Sequence, residues 1–366
     1  MGLGWRREGV CGEGGGGWNC GVWIMWAWAK NVIFAQLAWG SRMGAWFALA
    51  LRHAAMPARL ALRNNTLAMN KKVKLWIEEI RLRTLPVSLS GVLIAIGIAK
   101  WQHHFRLVPA LLCVAFALLA QIVSNFANEY FDYLAGTDKK GRVGFHRGVT
   151  EGDVKPTVLR NVMIATLIAA CVVGCGLIPF GGWWLVPVGM LIVVFALAYS
   201  TGPYPLSYHG LGEVAVFVFY GLVPVNLTYY VMALRFDPMV LLASMTIGFM
   251  GVNVLLVNNY RDVEDDREAG KHTSVVIFGR KPAAVAYLFN GFVGIGMLSP
   301  MWFVIYLGRA LPVWTLIIPT AYLVLHTLTW RKLTLRDGAA LNPLLGATAR
   351  NMLIFTVLLA AVMIAY

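Results

Sequence analysis

Apolar runs long enough to cross a bilayer, roughly 17 to 25 residues, recur along the chain from residue 85 onward. Nine can be marked: 85–101, 107–127, 158–178, 182–199, 211–232, 239–258, 283–305, 311–328 and 349–366. Little room is left between them for a separate soluble domain. A helix satisfies its own backbone hydrogen bonds in lipid, and irregular chain does not. The pattern predicts an all-α integral membrane protein, one domain over residues 69–366 with nine transmembrane helices.

Composition agrees. The 366 residues are 59% hydrophobic and only 13% charged, against about 25% charged in a soluble domain. Of the Lys and Arg residues after position 70, 20 fall in segments that are cytoplasmic when the N-terminus is inside, and four (Lys100, Arg106, Arg235 and Arg309) fall outside. This positive-inside bias predicts a cytoplasmic N-terminus, an outer C-terminus and nine crossings. The formal charge of +14 is then topological, and a nucleic-acid partner is excluded. Residues 1–68, rich in Gly, Trp, Arg and Ala, differ in character from the rest. They read as an atypical extension outside the fold, with translation expected to start at Met69. The cysteines contain no CxxC pair and read as small buried hydrophobes.

Only 17 residues are acidic, and ten of them lie in two short windows. Glu129, Asp132, Asp138, Glu151 and Asp153 follow the second crossing; Asp262, Glu264, Asp265, Asp266 and Glu268 follow the sixth. Both windows fall on the cytoplasmic side. The first carries Asn128-x3-Asp132, the second Asn258-x3-Asp262-x3-Asp266, and residues four apart share a helix face. Gly136 is expected to end the first helix and let Asp138 fold back toward Asp132. Carboxylates crowded beside a low-dielectric region need cations. Carboxylate and amide oxygens suit a hard ion, and one or two carboxylates with substrate phosphates is the usual setting for magnesium. The bland alternative is a solvated charged loop, the reading kept for Glu151, Asp153, Glu264 and Glu268.

At these windows the sequence resembles the UbiA superfamily of intramembrane prenyltransferases. NFANEYFDYLAGTD (125–138), followed by Arg147-Gly148, is similar to the family's first Asp-rich motif, and NNYRDVEDDREAGKHT (258–273) to its second. RLRTLPVSLSGVLIAIG (81–97), YSTGPYPLSYHGLGE (199–213) and LNPLLGATAR (341–350) resemble the branch that prenylates 1,4-dihydroxy-2-naphthoate in menaquinone synthesis. Asp132 and Asp138 stand six apart, where the commonest first motif spaces its last two acids by four. The naphthoate branch shows the longer form.

The resemblance implies a UbiA-type bundle in the bacterial cytoplasmic (inner) membrane, with its active site facing the cytoplasm. Magnesium held by Asp132, Asp138, Asp262 and Asp266 would bind a polyprenyl diphosphate, with Asn128 and Asn259 orienting waters or a metal. Lys139, Arg142, Arg147, Arg261 and Lys271, with Arg83 at the inner end of the first crossing, are candidates for the phosphate oxygens. Tyr204, Tyr208, His209 and Glu213 are candidates to hold the aromatic acceptor or steady the cation. For the tyrosines, interfacial anchoring is the competing reading; Trp183, Trp184 and Trp302 read as interfacial belt residues. Other acceptors such as 4-hydroxybenzoate or homogentisate remain alternatives. So does a transporter, although transporter sites sit near the midplane and these acids gather at helix ends.

Overall fold

The computed structural model describes residues 71–141, 143–307 and 313–366. Residues 1–68 and Arg142 lie outside the described residues, and with them the expectations placed there. Among the described residues the chain is helical, with no strand. Its principal helices are α1 (Lys71–Ile80), α2 (Leu85–Trp101), α3 (Leu107–Leu134), α4 (Pro156–Gly181), α5 (Leu185–Ala198) and α6 (Gly212–Ala233). They continue with α7 (Pro238–Arg261), α8 (Val263–Glu268), α9 (Ser274–Phe278), α10 (Arg280–Phe303), α11 (Val313–Thr334) and α12 (Gly338–Ala365).

Each apolar segment marked in the sequence falls on one of these helices, and the protein is a multi-pass membrane protein. The described helices include seven long and apolar enough to cross a bilayer, or eight if α1 and α2 form one bent span. α5 is the exception to the nine expected. Its 14 residues rise only about 21 Å, less than the hydrocarbon thickness of about 30 Å. Gly182 and Gly202, both at positive φ, bracket the segment with turns.

Elsewhere the helices outrun their apolar runs. α3 continues to Leu134 and α7 to Arg261, so the motif residues ride on rigid helix ends. Ala135 caps α3, and Gly136 follows at φ +67°, a left-handed position that glycine tolerates. At the start of α7, the Asp237 carboxylate accepts the Met239 N–H at 2.8 Å, and Pro238 stands at the first helical position, where its missing donor is harmless.

α7 runs through the centre, with 72% of its apolar window buried. Between apolar helices in lipid, packing and interhelical hydrogen bonds replace the hydrophobic drive. α6 crosses α7 so closely that a Cβ on Gly221 would lie 2.5 Å from the Gly248 Cα. At this crossing α6 makes a π-turn, Phe217–Leu222, and the Asn226 amide donates to both the Leu222 carbonyl and the Ser244 hydroxyl. Trp302, expected in the interfacial belt, is instead buried in the main core. Trp183 and Trp184 are exposed.

A smaller core forms near the C-terminal end of α3. α1 lays Leu75, Trp76 and Ile80 against Phe126, Ala127, Val149, Val154 and Leu159, with Trp76 edge-on to Phe126. α1 then bends 58° into α2 through a turn that holds Arg81 at φ +55°, a conformation that strains a non-glycine residue by about 1–2 kcal/mol.

Replacing Gly221 by Val forces side-chain atoms into the α7 backbone. Overpacking of this kind costs about 1–3 kcal/mol. The expected result is a lower melting midpoint for the purified protein in detergent; an unchanged midpoint would contradict the crossing described.

Candidate active site

The C-terminal ends of α3 and α7 open on one cavity of about 810 Å³. Its polar end is walled by Arg81, Asn128, Asp132 and Arg147 from the first half, and by Asn258, Asn259, Asp262, Asp266 and Lys271 from the second. Away from them the wall becomes apolar, formed by α3, α4, α5 and α6. Along α3 the wall extends from Asp132 to Cys113, roughly 28 Å of helix.

The acids are deeply buried and paired with cations. Asp132 Oδ1 accepts Lys271 Nζ at 3.2 Å and the Tyr208 hydroxyl at 3.0 Å. Its Oδ2 lies 3.5 Å from an Arg147 nitrogen and has no hydrogen-bond partner among the described residues. Arg147 also reaches Asp138 at 3.1 Å and donates to Asn128 Oδ1 at 3.2 Å. Asp138 thus does fold back past Gly136, meeting Asp132 through one guanidinium. In the second motif, Arg261 grips Asp262 with two nitrogens, at 2.5 and 2.7 Å. It donates further to Asn258 and Asn342, at 2.8 and 3.1 Å. Such a fork satisfies a planar carboxylate far better than a point charge can.

The two motifs are joined directly. Lys271, from the loop after α8, sits 4.8 Å over the Tyr208 ring while bonding Asp132 of α3. The His272 N–H donates to the Tyr208 carbonyl at 2.8 Å. Burial, with the negative charge of Asp132 beside it, raises the Tyr208 phenol above its ordinary range, so it stays protonated and remains a donor.

Not every sequence candidate reaches the cavity. Arg83 is exposed and stacks on Phe145, 4.6 Å from the ring centre. Tyr204 is exposed and stacks on His209. Lys139 pairs with Glu268 at 2.8 Å on the surface, and that pairing raises the lysine pKa and lowers the glutamate's. Asp138 and Arg261 do not line the cavity; each holds a residue that does.

Sequence reasoning missed several contributors. Arg81, two residues before Arg83, donates to Asn128 Oδ1 at 3.3 Å and lies 3.6 Å from Glu129. A buried ladder climbs the cavity wall, with Ser88 donating to Gln121 and Gln121 to Asn125 at 2.8 and 3.1 Å. The Asn125 amide then donates to the Ile80 carbonyl. Glu213, which the sequence did single out, lines the cavity and accepts from Asn259 at 3.0 Å and from the Ser274 hydroxyl. Apolar-run counting passes over such residues, although Gln121 and Asn125 stand four apart inside an apolar segment.

The UbiA prenyltransferase family matches residues 88–355. The chain belongs to that family. Among curated UbiA relatives, 1,4-dihydroxy-2-naphthoate octaprenyltransferase of Escherichia coli (strain K12) is 35% identical over 214 residues, covering 57% of this chain and 70% of the relative. The Mycobacterium tuberculosis (strain ATCC 25618 / H37Rv) protein of the same name is 34% identical over 242 residues, 64% and 82% of the two chains. A UbiA homolog from Archaeoglobus fulgidus, solved bound to DMAPP and Mg2+, superposes with a TM-score of 0.56 at 14% identity, over 79% of this chain and 99% of that one. At that identity the superposition speaks for the fold alone.

The donor set suits magnesium in kind. Hard carboxylate and amide oxygens line the polar end, and Asp132, one of the lining residues, keeps its buried Oδ2 without a hydrogen bond. Among the described residues no three His, Cys, Asp or Glu side chains cluster around one point. Oxygens from a bound phosphate would have to complete any shell, as is usual for this ion.

Arg261→Met leaves Asp262 buried without its fork. Breaking a buried pair costs about 3–5 kcal/mol, which should appear as a large fall in the melting midpoint. Lys139→Met, at an exposed pair, should leave that midpoint unchanged. Equal shifts for the two variants would refute the contrast between a buried, forked pair and a solvated one.

Proposed function

We propose that this protein transfers a polyprenyl group from polyprenyl diphosphate to 1,4-dihydroxy-2-naphthoate, releasing diphosphate and CO2 and giving the hydroquinone form of demethylmenaquinone. The observation that carries this reading is a cavity with residues of both Asp-rich motifs at one end and a long apolar wall beyond. It matches a donor with a charged head and an apolar tail. The named activity of the relatives, at 34–35% identity, supports the same acceptor.

In this reading the chain crosses the bacterial cytoplasmic membrane nine times with the N-terminus inside, the short α5 completing its crossing together with the turns at its ends, and the polar end faces the cytoplasm. Residues 69–366 form the catalytic domain, with 1–68 an extension outside it. Asp132, Asp262 and Asp266, with Asp138 behind them, would hold magnesium, and Asn128 and Asn259 would orient its waters. Bound magnesium would neutralise the negative charge that grows on the departing diphosphate.

Arg147 and Lys271 line the cavity and can turn from the carboxylates to phosphate oxygens. The allylic C–O bond then breaks with its electron pair on the diphosphate, leaving an allylic cation. The acceptor carbon bearing the carboxylate attacks that cation, forming the new C–C bond. Loss of CO2 returns an electron pair to the ring and restores aromaticity. An electron-rich ring needs no strong base for this step. The Tyr208 hydroxyl, held protonated, fixes Asp132 in place.

The test is product analysis of the purified protein with dihydroxynaphthoate, 4-hydroxybenzoate or homogentisate and one prenyl diphosphate. The expected result is CO2-releasing prenylation of the naphthoate alone, abolished by chelation of magnesium and by Asp132→Ala or Asp262→Ala. Full activity in both variants would rule out the mechanism; prenylation of another acceptor would change the assignment.

A further inference from the structure

Glu79 has no role in the chemistry above, yet it is among the most deeply buried charged residues, at 1% exposure. It sits on α1, close to the Glu129 carboxyl. Burial of this kind calls for a compensating contact, and the backbone supplies one.

Arg147 precedes a single helical turn, Gly148–Glu151, whose first N–H groups have no partner within the turn. The Gly148 N–H donates to Glu79 Oε1 at 2.8 Å, and the Val149 N–H donates to Glu129 Oε1 at 3.1 Å. Carboxylates from two helices, α1 and α3, therefore hold the two peptide groups directly after Arg147. The fit is close enough to demand glycine. A Cβ at 148 would lie 2.2 Å from Glu79 Oε1 and 2.9 Å from Val154. Val149 and Val154 pack into the small core under α1, which leaves the turn little freedom to shift. Arg81 completes the frame, touching both Glu129 and the Asn128 oxygen that Arg147 also uses.

We infer that Glu79 is a positioning residue for the donor site: through the Gly148 peptide it fixes Arg147 where the guanidinium spans Asp132 and Asp138. The inference rests on the reading that Arg147 contacts the diphosphate of the donor. Glu79 itself touches no substrate and acts only through the turn.

The full chain in lipid nanodiscs with magnesium provides the test. Glu79→Ala and Gly148→Ala should each raise KM for the prenyl diphosphate about tenfold, the loss of one well-placed charged contact, with a much smaller fall in kcat. Glu79→Gln keeps an oxygen for Gly148, and should stay within about twofold of the parent on the same scale. Combining Glu79→Ala with Arg147→Ala should add nothing to Arg147→Ala alone. Hydrogen exchange at residues 147–154 should quicken in Glu79→Ala and not in Glu79→Gln. Additive losses, an unaltered KM in Glu79→Ala, unchanged exchange, or a Gln variant as poor as Ala would each overturn the inference while leaving the donor site intact. An unaltered KM in Arg147→Ala would instead remove the donor-site reading, and this inference with it.

Discussion

Acids can be packed at the ends of apolar helices only if positive charge is packed with them, and the architecture of this protein follows from that requirement. An isolated carboxylate in a low-dielectric setting would protonate instead. Here Asp132, Asp138 and Asp262 are met by Arg147, Lys271 and Arg261. Each cation arrives from a segment whose course must be fixed for the pairing to hold. Arg147 is delivered by the turn under α1, Lys271 by the loop after α8, and Arg261 by the last turn of α7. The connecting loops are therefore as firmly specified as the helices they join.

The same requirement ties the two halves of the chain together. Lys271 belongs to the second motif by sequence and to the first by charge, because its partner is Asp132. Tyr208, from the loop between α5 and α6, supports both members of that pair, bonding the carboxylate and lying under the ammonium. A site assembled this way contracts around a shared set of cations, which a ligand rich in negative charge can take over without new charge being brought in.

Much of this was legible in the sequence. Apolar runs marked the helices, the Asn-x3-Asp spacing marked the motifs, and Gly136 marked the turn that returns Asp138. What escaped has physical reasons. Arg81 and Arg83 are equivalent in composition, and only the left-handed backbone at Arg81 decides which one meets Asn128. Glu79 lies on an amphipathic helix, and its burial depends on a glycine 69 residues away. α5 reads as a helix of full spanning length until the turns at Gly182 and Gly202 shorten it. The Trp302 indole reads as interfacial until the neighbouring helices close over it.

α5 is also the lightest part of the cavity wall. It has no buried residue, and Met190 and Val194 line the cavity and are largely exposed. A wall one helix thick, short and loosely seated, divides the apolar channel from the acyl chains of the membrane. Hydrophobic molecules would then enter and leave by partitioning in two dimensions, never passing through water. The concentration the protein senses is the mole fraction in lipid, so its apparent affinity should shift with the amount of membrane present even at fixed bulk concentration.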